Sequence, residues 1–293
     1  MPELPEVETV RRGLEPHMRG AVIVEALVNR RDLRFPFPPR FASRLAGQRI
    51  EEVGRRAKYL LFSLSNGETW LSHLGMTGVW HVEQGGDLIA GRYHPAPDAP
   101  AHTHLNMLLE RPDSSRVAIS YSDARRFGFM DLFADAGTNP FLAGLGPEPL
   151  GNEFSALHLA AAFAGKQAPV KSALLDQRVV AGLGNIYVSE ALHRAKISPR
   201  RRADTLVRRD GGASDALEVL VETIRAVLIE AIDAGGSTLR DFRTASGELG
   251  YFQHRFLVYD REGEKCPRRG CGGQVRRIVQ SGRASYYCPR CQR

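Results

Sequence analysis

The chain has 293 residues, with 40 Lys and Arg against 33 Asp and Glu for a formal charge of +7; 43% of it is hydrophobic and 25% charged. That balance excludes a disordered, collagen-like or disulfide-scaffolded chain and suits a globular protein long enough for two domains. No apolar run approaches the ~20 residues that span a bilayer, and Glu3, Glu6 and Glu8 stand where a secretory signal needs a basic start and an apolar core, so no membrane partner and a cytoplasmic, nucleoid-associated location are expected.

In chain order, residues 2–14 read as a helix. Leu4, Val7, Val10 and Leu14 recur at helical spacing, acidic residues lead, Arg11 and Arg12 follow, and Gly13 stands near the end. From about 20 to 134 the texture becomes short β-rich runs (AVIVEALV, KYLLFSL, TGVWHV, LNMLLE, VAISYS, FGFMDLF) between Gly-, Pro- and Asp-rich turns, with one helical interruption near 39–46. Short strands at this density predict an antiparallel sandwich, and the Gly-, Pro- and Ala-rich stretch 84–103 predicts a long loop. Residues 135–150 read as a linker. In 151–250 the stretches EFSALHLAAAFAG, PVKSALLDQ, NIYVSEALHRA and SDALEVLVETIRAVLIEAIDAG each carry a helical apolar stripe, and a polar, Gly-containing stretch (235–250) closes that region. The division expected is therefore α+β: an N-terminal helix and sandwich over 1–134, the linker, a helical domain over 151–250 and a terminal segment over 251–293.

The terminal segment holds the excess charge, with ten Lys or Arg against Asp260, Glu262 and Glu264 after residue 250. A neutral body with a basic end points to a polyanion, most simply nucleic acid. All four cysteines lie there: Cys266-x4-Cys271, sixteen residues, then Cys288-x2-Cys291. Between the pairs, QVRRIVQSGRASYYC reads as two strands around Ser281-Gly282. Paired thiols around a hairpin can present four sulfurs tetrahedrally to one Zn²⁺, a structural site with no open coordination position, on which folding of this segment depends.

Other residues offer chemistry beside plainer readings. Removal of Met1 leaves Pro2 a secondary amine, neutral in part near pH 7 and able to attack a sugar C1′ with Glu3 exchanging protons beside it; Pro2 and Pro5 also simply start a helix well. The turn AGLGNIYVSEALHRA, with Gly182, Gly184 and Asn185 at a helix start, suits a phosphate to which Lys171 can add, and equally suits an inter-helix turn. Lys58, His73, Arg125 and Arg126 fit a DNA groove or an ordinary charged surface. Met76 and Phe127 stand among turn residues, where they can wedge into base steps or pack in a core.

These pieces occur together and in order. PELPEVETVRRGLEP, RRAKYLLF, HLGMTG, DARRFG, LGPEPL, GLGNIYVSEAL, GYFQ and GRASYYCPRCQ resemble the bacterial formamidopyrimidine-DNA glycosylases of the Fpg/Nei family over essentially the whole chain. The resemblance implies a helix–two-turn–helix domain, a β-hairpin zinc finger, and a glycosylase and abasic-site lyase acting on double-stranded DNA with oxidised purines or abasic sites; a monomer is expected because nothing in the sequence suggests a symmetric interface. It implies Pro2 as Schiff-base nucleophile, Glu3 as the acid at base departure, Glu6 in support, and Lys58 and Arg283 on phosphates and in the eliminations. Asn185 matches a phosphate-binding asparagine; Met76, Arg125 and Phe127 match a trio filling the space left by an everted nucleotide. His102, Arg125 and Lys166 align with DNA contacts, and Thr238 and Arg240 fall in the loop over the flipped base. The first cysteine pair departs from the C-x2-C common in the family. An oxidised-pyrimidine glycosylase of the same fold and a non-catalytic DNA-binding module are the alternatives.

Overall fold

The computed structural model describes residues 2–84, 87–88, 100–237 and 250–293. Thr238, Arg240 and most of 84–103 lie outside these residues. The chain forms two compact units, one of Met1–Ala143 with Ala234–Gln253 and one of Gly144–Asp233 with His254–Arg293.

The first unit opens with helix α1 (Leu4–Met18). The sequence predicts a stop near Gly13, but the helix continues for four residues beyond Leu14. Leu14 and Met18 are both fully buried, so the apolar stripe of Val7 and Val10 continues and core burial outweighs a glycine whose cost is about 1 kcal/mol. Strands β1 (Val22–Val28), β5 (Gly78–Gln84), β6 (Asp87–Leu88), β7 (Thr103–Glu110) and β8 (Arg116–Asp123) form a sheet in the order β1-β7-β8-β5-β6. Strands β2 (Ile50–Arg56), β3 (Tyr59–Leu64), β4 (Thr69–His73) and β9 (Phe129–Phe133) form a second sheet, β2-β3-β4-β9, and the short helix α2 (Phe41–Leu45) lies at the expected interruption. All the paired strands in both sheets run antiparallel. Alternation sets which face is buried: Leu60, Phe62 and Leu64 on β3 and Val117, Ile119 and Tyr121 on β8 point into one core. There Trp70 of the second sheet meets Trp80 of the first edge-to-face at 5.5 Å, so the rings bridge the layers of the expected sandwich.

The second unit contains α3 (Ala156–Phe163), α4 (Val170–Leu175), α5 (Asn185–Arg194) and α6 (Asp215–Asp233), as the apolar stripes predict. Strands β10 (Arg276–Gln280) and β11 (Arg283–Tyr287) make the expected hairpin. Ser281 and Gly282 both take positive φ, 49° and 73°, the backbone a two-residue type I′ turn demands. Helix α5 is buried almost all round, so its Glu190 must be partnered. The carboxylate accepts N–H bonds from Leu257, Val258 and Tyr259 at 2.8–3.0 Å and so ties the approach to the terminal segment onto α5. Burial pushes this carboxyl above its ordinary range, with the three N–H groups pulling back. No helix among the described residues is long and apolar enough to cross a membrane.

Candidate active site and phosphate-binding elements

Chain ends ordinarily fray; here Pro2, Glu3 and Glu6 are buried. Glu3 caps α1, and its backbone N–H donates to Glu6 Oε2 at 2.8 Å. The other oxygen of Glu6 accepts from the backbone N–H of Ser237 at 2.8 Å and from its hydroxyl at 3.0 Å. One carboxylate therefore holds the first turn of the helix to residue 237, within the same unit. No local signal in the sequence marks Ser237, because its partner lies 231 positions away.

Lys58 is buried beside Ala57, whose φ is 52°, in the tight turn joining β2 and β3. The ring of His73 stacks on Phe129 at 5.1 Å and lies 5.2 Å from Tyr59. Burial first, then the charges of Lys58 and Arg34, lowers its pKa to about 4, so the ring is neutral at physiological pH. Its Nδ1 accepts from the Gly75 N–H at 3.1 Å, which assigns the ring proton to Nε2. His73, a basic position by residue type, is chemically a neutral N–H donor. His102 ends a short 3₁₀ turn just before β7. Met76 and Phe127 are 37% and 45% exposed, not core residues, and the Arg125 guanidinium stands 5.0 Å from the Phe127 ring centre.

In the second unit the Gly-rich turn is braced by Gln177, which accepts from the Gly182 N–H and donates to the Leu183 carbonyl, both at 2.9 Å. Gly184, not Asn185, takes the cap position of α5, and Asn185 is its first residue. The Asn185 Oδ1 instead accepts from Lys171 Nζ at 2.6 Å, leaving its NH₂ as the donor end. The expectation that Lys171 adds to a bound phosphate gives way to another role. The residue is 1% exposed, and its ammonium also donates to the Ala284 carbonyl at 2.8 Å and Ser285 Oγ at 2.6 Å, so its three protons serve internal acceptors. Desolvating a lysine requires such full pairing, and its effect is to orient Asn185 and clamp β11 just after the exposed Arg283. Lys166 follows α3 and is partly exposed.

The four cysteines converge. Their sulfurs all lie within 4.8 Å of one another, with Cys266 and Cys291 3.8 Å apart and Cys271 and Cys288 3.6 Å apart, and none forms a disulfide. A tetrahedron of Zn–S bonds of about 2.3 Å has edges of about 3.8 Å, so the donor set fits one structural zinc. The wider first pair is accommodated because the knuckle folds back through a Cys266 N–H to Gly273 carbonyl bond of 2.8 Å. A Cβ on Gly273 would lie 2.7 Å from Cys288 Sγ. His193, at the end of α5, brings Nε2 to 3.4 Å from Cys266 Sγ, and Arg268 on the knuckle donates to the His193 carbonyl at 2.7 Å. Sequence reasoning misses both Glu190 and His193; a lone Glu inside an otherwise buried helix is the available sign for the first.

An antiparallel sandwich, a helical domain and a Cys₄ hairpin finger define a DNA-binding zinc-finger protein. Three family profiles match the chain: the formamidopyrimidine-DNA glycosylase N-terminal domain over residues 1–130, the formamidopyrimidine-DNA glycosylase H2TH domain over 145–243, and the zinc finger found in FPG and IleRS over 263–293. The formamidopyrimidine-DNA glycosylase of Rhodopseudomonas palustris (strain HaA2) is 58% identical over 100% of both chains. Lactococcus lactis Fpg in complex with DNA containing an abasic site is 32% identical over 99% of each chain, with a TM-score of 0.81. A MutM in complex with DNA containing carbocyclic 8-oxo-G is 33% identical over 100% of each, also with a TM-score of 0.81. The chain belongs to the formamidopyrimidine-DNA glycosylase family of DNA-repair glycosylases.

Proposed function

We propose that the chain is a bifunctional glycosylase and abasic-site lyase that removes oxidised purines, 8-oxoguanine opposite cytosine and formamidopyrimidines, from double-stranded DNA. One observation carries this reading: residues 2–6 are buried, and Pro2 adjoins a Glu3 whose backbone is fixed by Glu6. A nucleophile needs such positioning, whereas a residue that merely begins a helix does not.

The chemistry follows from a secondary amine. With Met1 removed, the Pro2 nitrogen attacks C1′ of an everted nucleotide, and the bond to the base breaks with its electron pair leaving on the base. The amine gives up its proton, Glu3 exchanges protons with the departing base and the ring oxygen, and the C1′–O4′ bond opens to leave nitrogen doubly bonded to C1′. The resulting iminium draws electrons from C2′, which loses a proton as the 3′ phosphate is expelled; a second elimination expels the 5′ phosphate, and water returns the amine. Lys58, Asn185 and Arg283 are assigned to the flanking phosphates, with Asn185 presenting the NH₂ that Lys171 leaves as its donor end. Met76, Arg125 and Phe127 are assigned to the space the nucleotide vacates, which accords with their exposure. Zinc, bound by Cys266, Cys271, Cys288 and Cys291, shapes the hairpin bearing Arg283 and takes no chemical step.

Borohydride reduction with a duplex containing 8-oxoguanine tests the reading. The expected result is a covalent adduct mapping by mass spectrometry to the first tryptic peptide, residues 2–11, and absent from protein retaining Met1. An adduct on a lysine, or none from protein beginning at Pro2, overturns it. Faster excision of thymine glycol than of 8-oxoguanine would keep the imine and reassign the substrate to oxidised pyrimidines.

A further inference from the structure

Three exposed side chains of the first unit, Met76, Arg125 and Phe127, come from two separate loops. Residues 74–77, between β4 and β5, carry Met76; residues 124–128, between β8 and β9, carry Arg125 and Phe127. Asp123, fully buried at the end of β8, bonds to both. Its Oδ1 accepts from the Thr77 hydroxyl at 2.5 Å, and its Oδ2 accepts from the Gly128 N–H at 2.7 Å. Thr77 completes the link, its Oγ1 accepting from the Arg125 backbone N–H at 3.1 Å.

The packing independently joins the same loops. Gly75 sits so close to the other loop that a Cβ on it would lie 2.2 Å from the Gly128 nitrogen. The Tyr121 hydroxyl fills the space beside both strands: a Cβ on Gly78 or Gly128 would lie 2.2 or 2.0 Å from it. The loops can therefore approach this closely only through glycine, and a buried carboxylate binds them.

We propose that Asp123 and Thr77 are positioning residues that make the two loops one rigid wedge, so that Met76, Arg125 and Phe127 enter the duplex together and not as independently moving loops. The inference rests on the assignment of those three side chains to the space left by the everted nucleotide. Preorganisation matters there because side chains still mobile on insertion would lose ordering entropy at the step that must offset base unstacking. Neither Asp123 nor Thr77 need touch DNA for this.

Thr77→Val removes the hydroxyl at nearly constant volume, and Thr77→Ser keeps it. Asp123→Asn is the companion variant, but a buried carboxylate with two acceptors engaged is a fold risk, so the Thr77 pair decides. On an 8-oxoguanine duplex, T77V slows single-turnover excision by about tenfold, since misplacement of a positioning group by ~1 Å can cost up to 10²-fold. T77S restores the rate. In T77V, 2-aminopurine beside the lesion reports slower unstacking. Cleavage of a single-stranded abasic oligonucleotide, which has no opposite base and no space to fill, is unchanged. A merely structural role predicts that T77V lowers both activities together, which overturns the proposal. Met76→Ala separates the assumption from the inference. If M76A leaves duplex excision intact, the space-filling assignment fails and the wedge with it. If M76A slows the duplex reaction and T77V does not, the assignment survives and the coupling alone is overturned.

Discussion

Among the described residues, Glu6 accepts hydrogen bonds from the Glu3 N–H and from the N–H and hydroxyl of Ser237, while being 2% exposed. Glu6→Gln must turn an NH₂ toward one of these donors and leave a buried donor unpaired. We expect a loss of about 1–3 kcal/mol, read from urea denaturation of the intact protein. An unchanged midpoint would show that the carboxylate does not hold the two segments. Arg283 is exposed at the first position of β11. Arg283→Ala should reduce the slope of log K against log salt by roughly one, for one lost phosphate contact; an unaltered slope would remove Arg283 from the phosphate-binding set. The two lysines show how far residue type alone can be read. Lys58 and Lys171 are both buried, and sequence alone makes both phosphate ligands. The ammonium of Lys171 is spent on Asn185, Ala284 and Ser285, two of them over a hundred positions away.

At the level of elements, α1 is held against β2 by a charged network: Glu8 with Arg11, Arg12 and Arg55, and Arg11 with Glu15. Burial by itself pushes the Glu8 carboxyl up, but hydrogen bonds from Arg11 and Arg12, then the charges of Arg11 and Arg55, outweigh it and hold the group below its ordinary 4.5. A folded-state value below the unfolded one means stabilisation that is complete above pH 4.5 and fades as pH falls through the folded value. Glu8→Gln should therefore flatten the acid limb of a melting-temperature profile below pH 4.5 and leave its shape near neutrality alone; parallel profiles would refute the network's role. Helix α5 is the platform of the zinc hairpin, through Glu190 on the approach and His193 on the Cys266 thiolate. A zinc-bound thiolate accepts from the ring N–H, so His193→Leu should loosen zinc by about tenfold, the lower end for loss of such a partner. Zinc transfer to a colorimetric chelator measures this, and wild-type kinetics would mean the thiolate needs no donor. Both helices are legible from apolar periodicity. The continuation of α1 past Gly13 is not, because the burial of Leu14 and Met18 that sustains it belongs to the sandwich.

On the scale of the whole molecule, the sandwich core and the Cys₄ cluster share no residues and fall in different compact units of the chain. Chelation should accordingly abolish DNA binding while the near-ultraviolet signal of Trp70 and Trp80 in the sandwich persists, because the metal organises only the terminal hairpin. Simultaneous loss of both signals would mean the two cores are one cooperative unit.

Helices, strands, the terminal hairpin and the zinc ligands can be read along the chain because each signal is local: apolar period, turn chemistry and thiol spacing are complete within about thirty residues. The family can be read for the same reason, since its motifs are short and ordered. Tertiary structure alone decided which polar groups face inward. It made His73 a neutral donor, turned Lys171 from ligand to brace, and joined Asp123 to two loops and Glu6 to Ser237. Each outcome depends on desolvation and on partners distant in sequence, and a buried charge takes whatever partner the fold brings to it.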